Sequence, residues 1–251
     1  MNFNFLKTNN TLISNNNFTK LNGVDKIYVI NLKRRPDRLI KFLNKTPFKN
    51  IEIIYGFDGR NHQNERTELK DLYDKFWRLG PGERGCFISH IIIWKKMISN
   101  NYKKVLIFED DVLYSDNFLI KYKKILDEMK YIWSKEDIKI LYIGGRFRKD
   151  HFTKNCIKIS DSVIKNKYIK FGNPYNGCNF DRTTHSYILT KNGADILLKN
   201  FYLSLFKKDD YFNLDPVDIY IHHVFRQLKI DIYSSQPLIC YSNSKDSDIK
   251  H

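Results

Sequence analysis

Three adjacent carboxylates, Glu109, Asp110 and Asp111, follow directly on the apolar run "KVLIF" at residues 104–108. Like charges so close repel one another, so a purely structural turn would avoid the arrangement. A divalent cation removes the penalty, and hard carboxylate oxygens suit Mg²⁺ or Mn²⁺. Successive residues of a strand point to opposite sides, which gives Glu109 and Asp111 one direction and Asp110 the other. A cation held from the first side can bridge a diphosphate and offset the charge building on it as it leaves. The structural alternative is a solvated acidic turn with Asp111 near a helix start. Acids around a metal also serve nucleases, phosphatases and polymerases, so the triplet alone names no reaction.

Other residues extend this chemistry. Arg34, Arg35 and Arg38 sit where a strand gives way to a helix, a place where arginines complement phosphate; for each singly, an exposed basic face is the plainer reading. Gly85, Ser89 and His90 lie on or just before an apolar helix, where a lone histidine is more often a hydrogen-bonded core residue than a ligand. Asp58-Gly59 reads as a turn, with acceptance from a base or ribose as the minority reading. The run "DPVD" puts Asp215 at an N-cap, Pro216 at the first helical position and Asp218 at the third, where an acid favours the helix dipole. Asp218 is also a candidate general base for an attacking hydroxyl. One of His222 and His223, about a turn further on, is a metal-ligand candidate against a plainer core or surface reading of both.

The elements that must position these residues alternate. "KIYVINL" reads as a buried strand, and "RRPDRLIKFLNK" as a helix begun by Pro36. "IEIIYGFDGR" is a second strand ending in a turn. A charged helix from about Glu65 to Trp77 and the breaker "LGPGE" come next, then the helix "RGCFISHIIIWKKMISNN". "KVLIFEDDV" is a strand. Ser115 and Asp116 are candidate caps for an amphipathic helix carrying Phe118, Tyr122, Ile125 and Met129. "IKILYIGG" is a strand, the stretch from Arg146 to about Asp181 is irregular, and "HSYILT", "KNGADILLKNF", "DPVDIYIHHVFRQL" and "IDIYSSQPLICY" read as strand, helix, helix and strands. The pattern predicts an α/β fold: an open, Rossmann-like, mostly parallel sheet with helices on both faces. Ligands in such sheets bind beyond the carboxyl ends of the strands, where "INLKRR", "GFDGR", "FEDDV" and "YIGGR" fall.

Composition sets the outer bounds. The 251 residues are 42% hydrophobic and 15% aromatic, ample for a core and too apolar for a disordered chain. Residues 1–22 form a polar, Asn-rich arm, and 23–251 a single domain. Forty-three basic side chains against 28 acidic leave +15, a balance that favours phosphate-bearing partners. It also suggests a competing class, a basic nucleic-acid-binding protein or a metal-dependent nuclease or phosphoesterase. Against that class, no recognised nucleic-acid motif is present and the basic residues are scattered. The four cysteines form no C-x-x-C pair and read as free thiols in a reducing compartment. No run reaches the roughly 20 apolar residues of a membrane span, and the first residues lack signal-peptide features. The expected location is cytoplasmic, or a host cytoplasm or virion if the Asn-, Ile- and Lys-rich coding belongs to a large AT-rich DNA virus.

The blocks "IYVINLKRRPDR", "DGR", "PGERGCFISHIIIW", "VLIFEDDV", "THSYILTKNGADILL", "LDPVDIYIHHVF" and "SQPLICY", in that order and spacing, resemble the family 25 glycosyltransferases from about Asp25 to Asp248. That family includes bacterial lipooligosaccharide galactosyltransferases and collagen hydroxylysine galactosyltransferases. The resemblance implies a GT-A-type nucleotide-diphosphosugar transferase fold, a UDP-sugar donor, Mn²⁺ or Mg²⁺, and inversion at the anomeric carbon. Its acceptor would be a glycan or a hydroxylated, collagen-like protein, and its sugar galactose, glucose or N-acetylglucosamine.

Carried onto this chain, the resemblance makes Glu109 and Asp111 the metal ligands and Asp218 the candidate base. Asn31, Arg35, Arg38, Asp58, Gly85, Ser89, His90 and Asp110 line the nucleotide-sugar pocket. After "QPLICY" this sequence reads "SNSKDSDIKH" where collagen-modifying members carry a Pro-Thr-His-Tyr block, and its "SDI" at 247–249 resembles bacterial members instead.

Overall fold

A computed structural model describes residues 10–13, 21–61, 78–145, 156–166, 183–206 and 215–242, with backbone alone for 10–13, 166 and 205–206. The expected helix at 65–77, the greater part of the irregular stretch 146–181 and the "SDI" segment lie outside them.

Twelve strands and five helices occur among the described residues. In chain order they are β1 (Asn10–Ile13), β2 (Lys26–Asn31), α1 (Pro36–Lys45), β3 (Ile51–Tyr55), α2 (Pro81–Ser99), β4 (Lys104–Glu109), β5 (Val112–Tyr114), α3 (Phe118–Lys135), β6 (Ile140–Tyr142), β7 (Gly144–Gly145), β8 (Cys156–Lys158), β9 (Val163–Asn166), β10 (Ser186–Thr190), α4 (Lys191–Phe206), α5 (Val217–Gln227), β11 (Tyr233–Ser235) and β12 (Cys240–Ser242).

Nine strands form one sheet in the order β1-β3-β2-β4-β10-β6-β11-β9-β8. In it β2, β3, β4, β6, β8 and β11 run one way and β1, β9 and β10 the other. The direction is thus mostly shared, but β10 enters antiparallel between β4 and β6, so the pairing is mixed. A small second sheet has the order β5-β12-β7.

The period-2 alternation of the strands explains both cores. Tyr28, Ile30, Val105, Ile107, Tyr187 and Leu189 face α2, α4 and α5 on one side. Ile27, Val29, Leu106, Phe108 and Ile188 face α1 and α3 on the other. Helices therefore cover both faces, as alternating strands and helices require. The largest wholly buried side chain is Trp94 of α2, and burying each such apolar group contributes roughly 1.5–3 kcal/mol.

Several local expectations change. Four residues of the Asn-rich arm form β1, which pairs with β3, and β8 and β9 form a hairpin inside the stretch read as irregular. The breaker "LGPGE" is the start of α2: Pro81 takes the first position and Glu83 Oε2 accepts from the Gly80 N–H at 2.8 Å. At α3 neither Ser115 nor Asp116 caps; Asn117, left-handed at φ 57°, precedes the helix. The reason is β5, whose pairing with β12 continues to the Ser115 N–H bonded to the Ile239 carbonyl, so the chain turns later.

At α5, Pro216 occupies the cap position and Asp218 the second helical position, while Asp215 binds His223 Nδ1 at 2.8 Å. Cys86 and Cys240 are free, but Cys156 is disulfide-bonded. That corrects the expectation of four free thiols and withdraws its support for a reducing compartment. No described helix is long and apolar enough to cross a membrane.

Candidate active site

The carboxyl ends of β2 and β4 and the loops after β2 and β3 open on a cleft lined by Arg34, Arg38, Asp58, Cys86, Glu109 and Asp111 among others. Helix geometry and an aromatic cluster deliver Arg38 to it. Phe42, one turn further along α1 and on the same face, packs on Phe108 of β4 with ring centroids 6.0 Å apart, and Phe48 stacks on Phe108 at 5.4 Å. With α1 fixed there, the Arg38 guanidinium pairs with Asp110 and lies 3.5 Å from Asp111 Oδ2.

The three acids occupy different environments. Glu109 Oε1 accepts from Thr184 Oγ1 at 2.6 Å and lies 3.6 Å from His90 Nε2. Burial opposes its ionisation, but His185, His90 and Thr184 outweigh that and hold Glu109 down at about 2. Asp110 accepts from Asn31 Nδ2 at 2.6 Å; burial overrides Arg38 and Asn31 and pushes it up to about 7. Asn31 also donates to the Arg35 carbonyl at 2.9 Å and is itself buried, so it locks the end of β2 to the β4–β5 turn.

Burial pushes Asp111 up as well, helped by the Glu109 charge and opposed by His185 and Arg38. Its Oδ1 is buried without a hydrogen-bond partner among the described residues, and its Oδ2 lies 3.8 Å from His185 Nε2. Glu109, Asp111 and His185 each offer a ligand atom within 4.8 Å of the others. Two carboxylates, an imidazole and an orphaned carboxylate oxygen fit a divalent cation of the Mn²⁺ kind.

His185 was not singled out in the sequence. It arrives because β10 pairs antiparallel with β4, Ser186 opposite Phe108, which sets the His185 carbonyl on the Glu109 N–H at 3.0 Å. The available signal was a histidine in the polar "TTH" run immediately before the apolar run "SYILT".

Of the other predicted pocket residues, Gly85 and Ser89 build the wall rather than face a ligand. Ser89 Oγ donates to the Gly85 carbonyl at 2.6 Å and accepts from the Phe57 N–H at 2.9 Å. A Cβ on Gly85 would clash with the Phe57 carbonyl, and one on Gly59 with the Pro81 carbonyl. The first turn of α2 is thus pressed onto the loop after β3, an approach only glycine permits.

In that loop Asp58 accepts from Arg34 Nε at 2.8 Å and Asn61 Nδ2 at 2.9 Å, so Arg34 and Asp58 enter the cleft as a pair. Arg35 instead forks onto Asp37 at 2.9–3.0 Å and does not line the cleft. His90 is wholly buried, with Nδ1 2.7 Å from Tyr187 Oη.

Asp218 does not line the cleft either, though its charge reaches it. Burial, then the carboxylates of Glu109, Asp218 and Asp111, push the Cys86 thiol well up, and Asp218 adds to the burial that raises Tyr142. Locally, Asp218 Oδ1 accepts from the Ile219 N–H at 2.9 Å. His222, one turn on, stacks on Tyr142 with centroids 5.8 Å apart, and His223 holds Asp215, so neither joins the acid cluster.

Comparison with known proteins places these residues in a family. The model of "Glycosyltransferase family 25 (LPS biosynthesis protein)" matches residues 24–212. A "Glycosyltransferase 25 family member" of Aedes aegypti is 28% identical over 243 residues, 90% of this chain and 37% of that protein. "Procollagen galactosyltransferase 2" of Homo sapiens is 25% identical over 234 residues, 87% of this chain and 35% of that protein. "Inactive glycosyltransferase 25 family member 3" of Mus musculus is 29% identical over 137 residues, 49% of this chain and 22% of that protein. The chain spans little more than a third of the length of the longer relatives it matches.

Proposed function

The chain belongs to glycosyltransferase family 25, and from that premise we propose that it moves a hexose from a UDP-sugar to an acceptor hydroxyl, with inversion, on a cation-dependent GT-A-type domain. The reading treats residues 23–251 as one domain preceded by the Asn-rich arm. Galactose, glucose and N-acetylglucosamine fit equally as donors, and a glycan or hydroxylated protein as acceptor. The observation that carries the reading is the convergence of Glu109, Asp111 and His185, the two acids lining a cleft that Arg34 and Arg38 also line.

A Mn²⁺ or Mg²⁺ ion held by these three residues would neutralise the diphosphate as it leaves. The chain's own residues do the rest. Arg38, oriented by Asp110, adds positive charge beside the leaving phosphates. The Arg34–Asp58 pair borders the same space and suits a phosphate on one member and a ribose or base donor on the other. Asn31 keeps the β4–β5 turn against β2, so the acids hold their spacing. Asp218, on the side of Cys86 and Tyr142, is the base that takes the acceptor hydroxyl's proton as that oxygen attacks C1.

A UDP-release screen over nucleotide sugars, with Mn²⁺ and with chelator, tests this. Release from one sugar that chelator abolishes is expected. Release unaffected by chelator, or none from any donor with an acceptor panel present, overturns it. The mouse relative's name makes that assay necessary, because membership alone does not carry activity.

A further inference from the structure

We propose that Cys86, His90 and Glu109 form a second cation site, of the zinc-binding kind, which adjoins the carboxylate site and shares Glu109 with it. Cys86 and His90 are four residues apart on α2 and so present their side chains on one face. The Cys86 Sγ, a His90 ring nitrogen and a Glu109 oxygen all lie within 4.8 Å of one another. Among these three, His90 is the independent pointer. It is 0% exposed and its Nε2 has no hydrogen-bond partner among the described residues, yet it stands 3.6 Å from Glu109 Oε1.

That separation is too long for a hydrogen bond. It matches the edge of a coordination tetrahedron, since ligands at zinc distances of roughly 2.0–2.3 Å lie about 3.3–3.8 Å apart. The ring is already held in a ligating pose. His90 Nδ1 is 2.7 Å from Tyr187 Oη, which also accepts from Trp94 Nε1 at 3.1 Å. Outer partners of this sort fix the orientation of a metal-bound imidazole.

The donor set separates the two sites chemically. Sulfur with imidazole and one carboxylate selects Zn²⁺ or Co²⁺, whereas Glu109, Asp111 and His185 offer two carboxylates and an imidazole to a harder ion. Cys86 lines the cleft, which provides the way in and leaves a fourth position for water. On binding, the Cys86 thiol gives its proton to solvent and the sulfur bonds the cation as thiolate. Because both sites draw on Glu109, zinc would inhibit the reaction supported by Mn²⁺; that consequence, unlike the site, rests on the proposed transferase activity.

The test is a cobalt titration of the metal-stripped full chain without nucleotide sugar, read by thiolate-to-cobalt charge-transfer absorption. The band should appear, saturate at one equivalent, be quenched by Zn²⁺ and survive excess Mg²⁺. Cys86→Ser should lose it, Asp111→Ala should keep it, and Tyr187→Phe should weaken cobalt binding roughly tenfold or more. Absence of the band in the unaltered chain overturns the proposal whatever the variants do. So does a band that persists in Cys86→Ser or vanishes in a folded Asp111→Ala. Since no donor is present, failure of the transferase screen leaves this result standing, and the reverse holds too.

Discussion

Two acid-bearing segments border the same end of the sheet and are built in opposite ways. Glu109, Asp110 and Asp111 are tied to residues far along the chain: Thr184 and His185 before β10, Asn31 at the end of β2, and Arg38 on α1. Asp215 and Asp218, at the start of α5, are tied within their own helix, to His223 and to the Ile219 N–H. Repelling acids held by residues of three separate segments need a reason beyond local structure, since each tie must be made at the cost of burying charge. An acid bonded in the first turn of its own helix needs none. The first segment is therefore the stronger candidate site on geometry, and the second rests on the charge Asp218 places on Cys86 and Tyr142.

The largest expected effect falls on the long-range segment. Asp111→Ala removes the buried oxygen left without a partner and one of three converging ligands. Losing a cation that contributes several kcal/mol to a leaving diphosphate lowers transfer by roughly 10³-fold or more. It should also abolish cation-dependent UDP binding, measured by calorimetry. Near-normal turnover would put Asp111 in the same class as Asp215, an acid with a structural explanation.

Asp218→Asn tests the other segment. Loss of a general base costs typically 10²- to 10⁴-fold in turnover, and the amide oxygen still accepts from the Ile219 N–H, so the helix start survives. UDP affinity should stay within a factor of about two while transfer falls. A large drop in UDP affinity instead would tie Asp218 to the cation; no loss at all would leave it a helix-terminal acid.

The two segments were unequally legible, and for a physical reason. Continuous apolar runs fix β2 and β4, and Pro36 and the α2 periodicity fix their helices, because each is a property of adjacent residues. The acidic triplet could be read for the same reason. His185 and Thr184 could not, since their place depends on β10 pairing antiparallel with β4, a register set by distant residues. The Asn117 turn before α3 was hidden likewise, because β5 exists only through β12. Asp218 was legible as a motif but misplaced by one helical position.

Acidity sharpens the contrast by a smaller margin. An aspartate in an unfolded chain titrates near 3.9, while folded Asp110 keeps its proton up to about 7. Between those values the folded state binds more protons, so Asp110 makes stability fall as pH rises through the window. Asp111, raised by burial, acts in the same direction. A cation should therefore bind more tightly as pH rises toward 7, releasing protons, and should offset the loss. Melting temperature against pH, with chelator and with Mn²⁺, should diverge upward through this range; parallel curves would show that Asp111 does not meet the ion.

The smallest effect separates two arginines of one helix start. Arg38 reaches across to Asp110 and Asp111, whereas Arg35 forks onto Asp37 two residues away, outside the cleft. Arg35 is tied to the site through its backbone carbonyl, among others, which accepts from Asn31 and which any residue supplies. An exposed pair of this kind contributes little, so Arg35→Ala should change the donor KM by no more than roughly twofold. Arg38→Ala should raise it far more, because it removes the cation facing the phosphates and leaves Asp110 without its counter-charge. Equal losses from the two would mean that Arg35 abandons Asp37 when the donor binds, and that a partner nearby in sequence does not mark a residue as structural here.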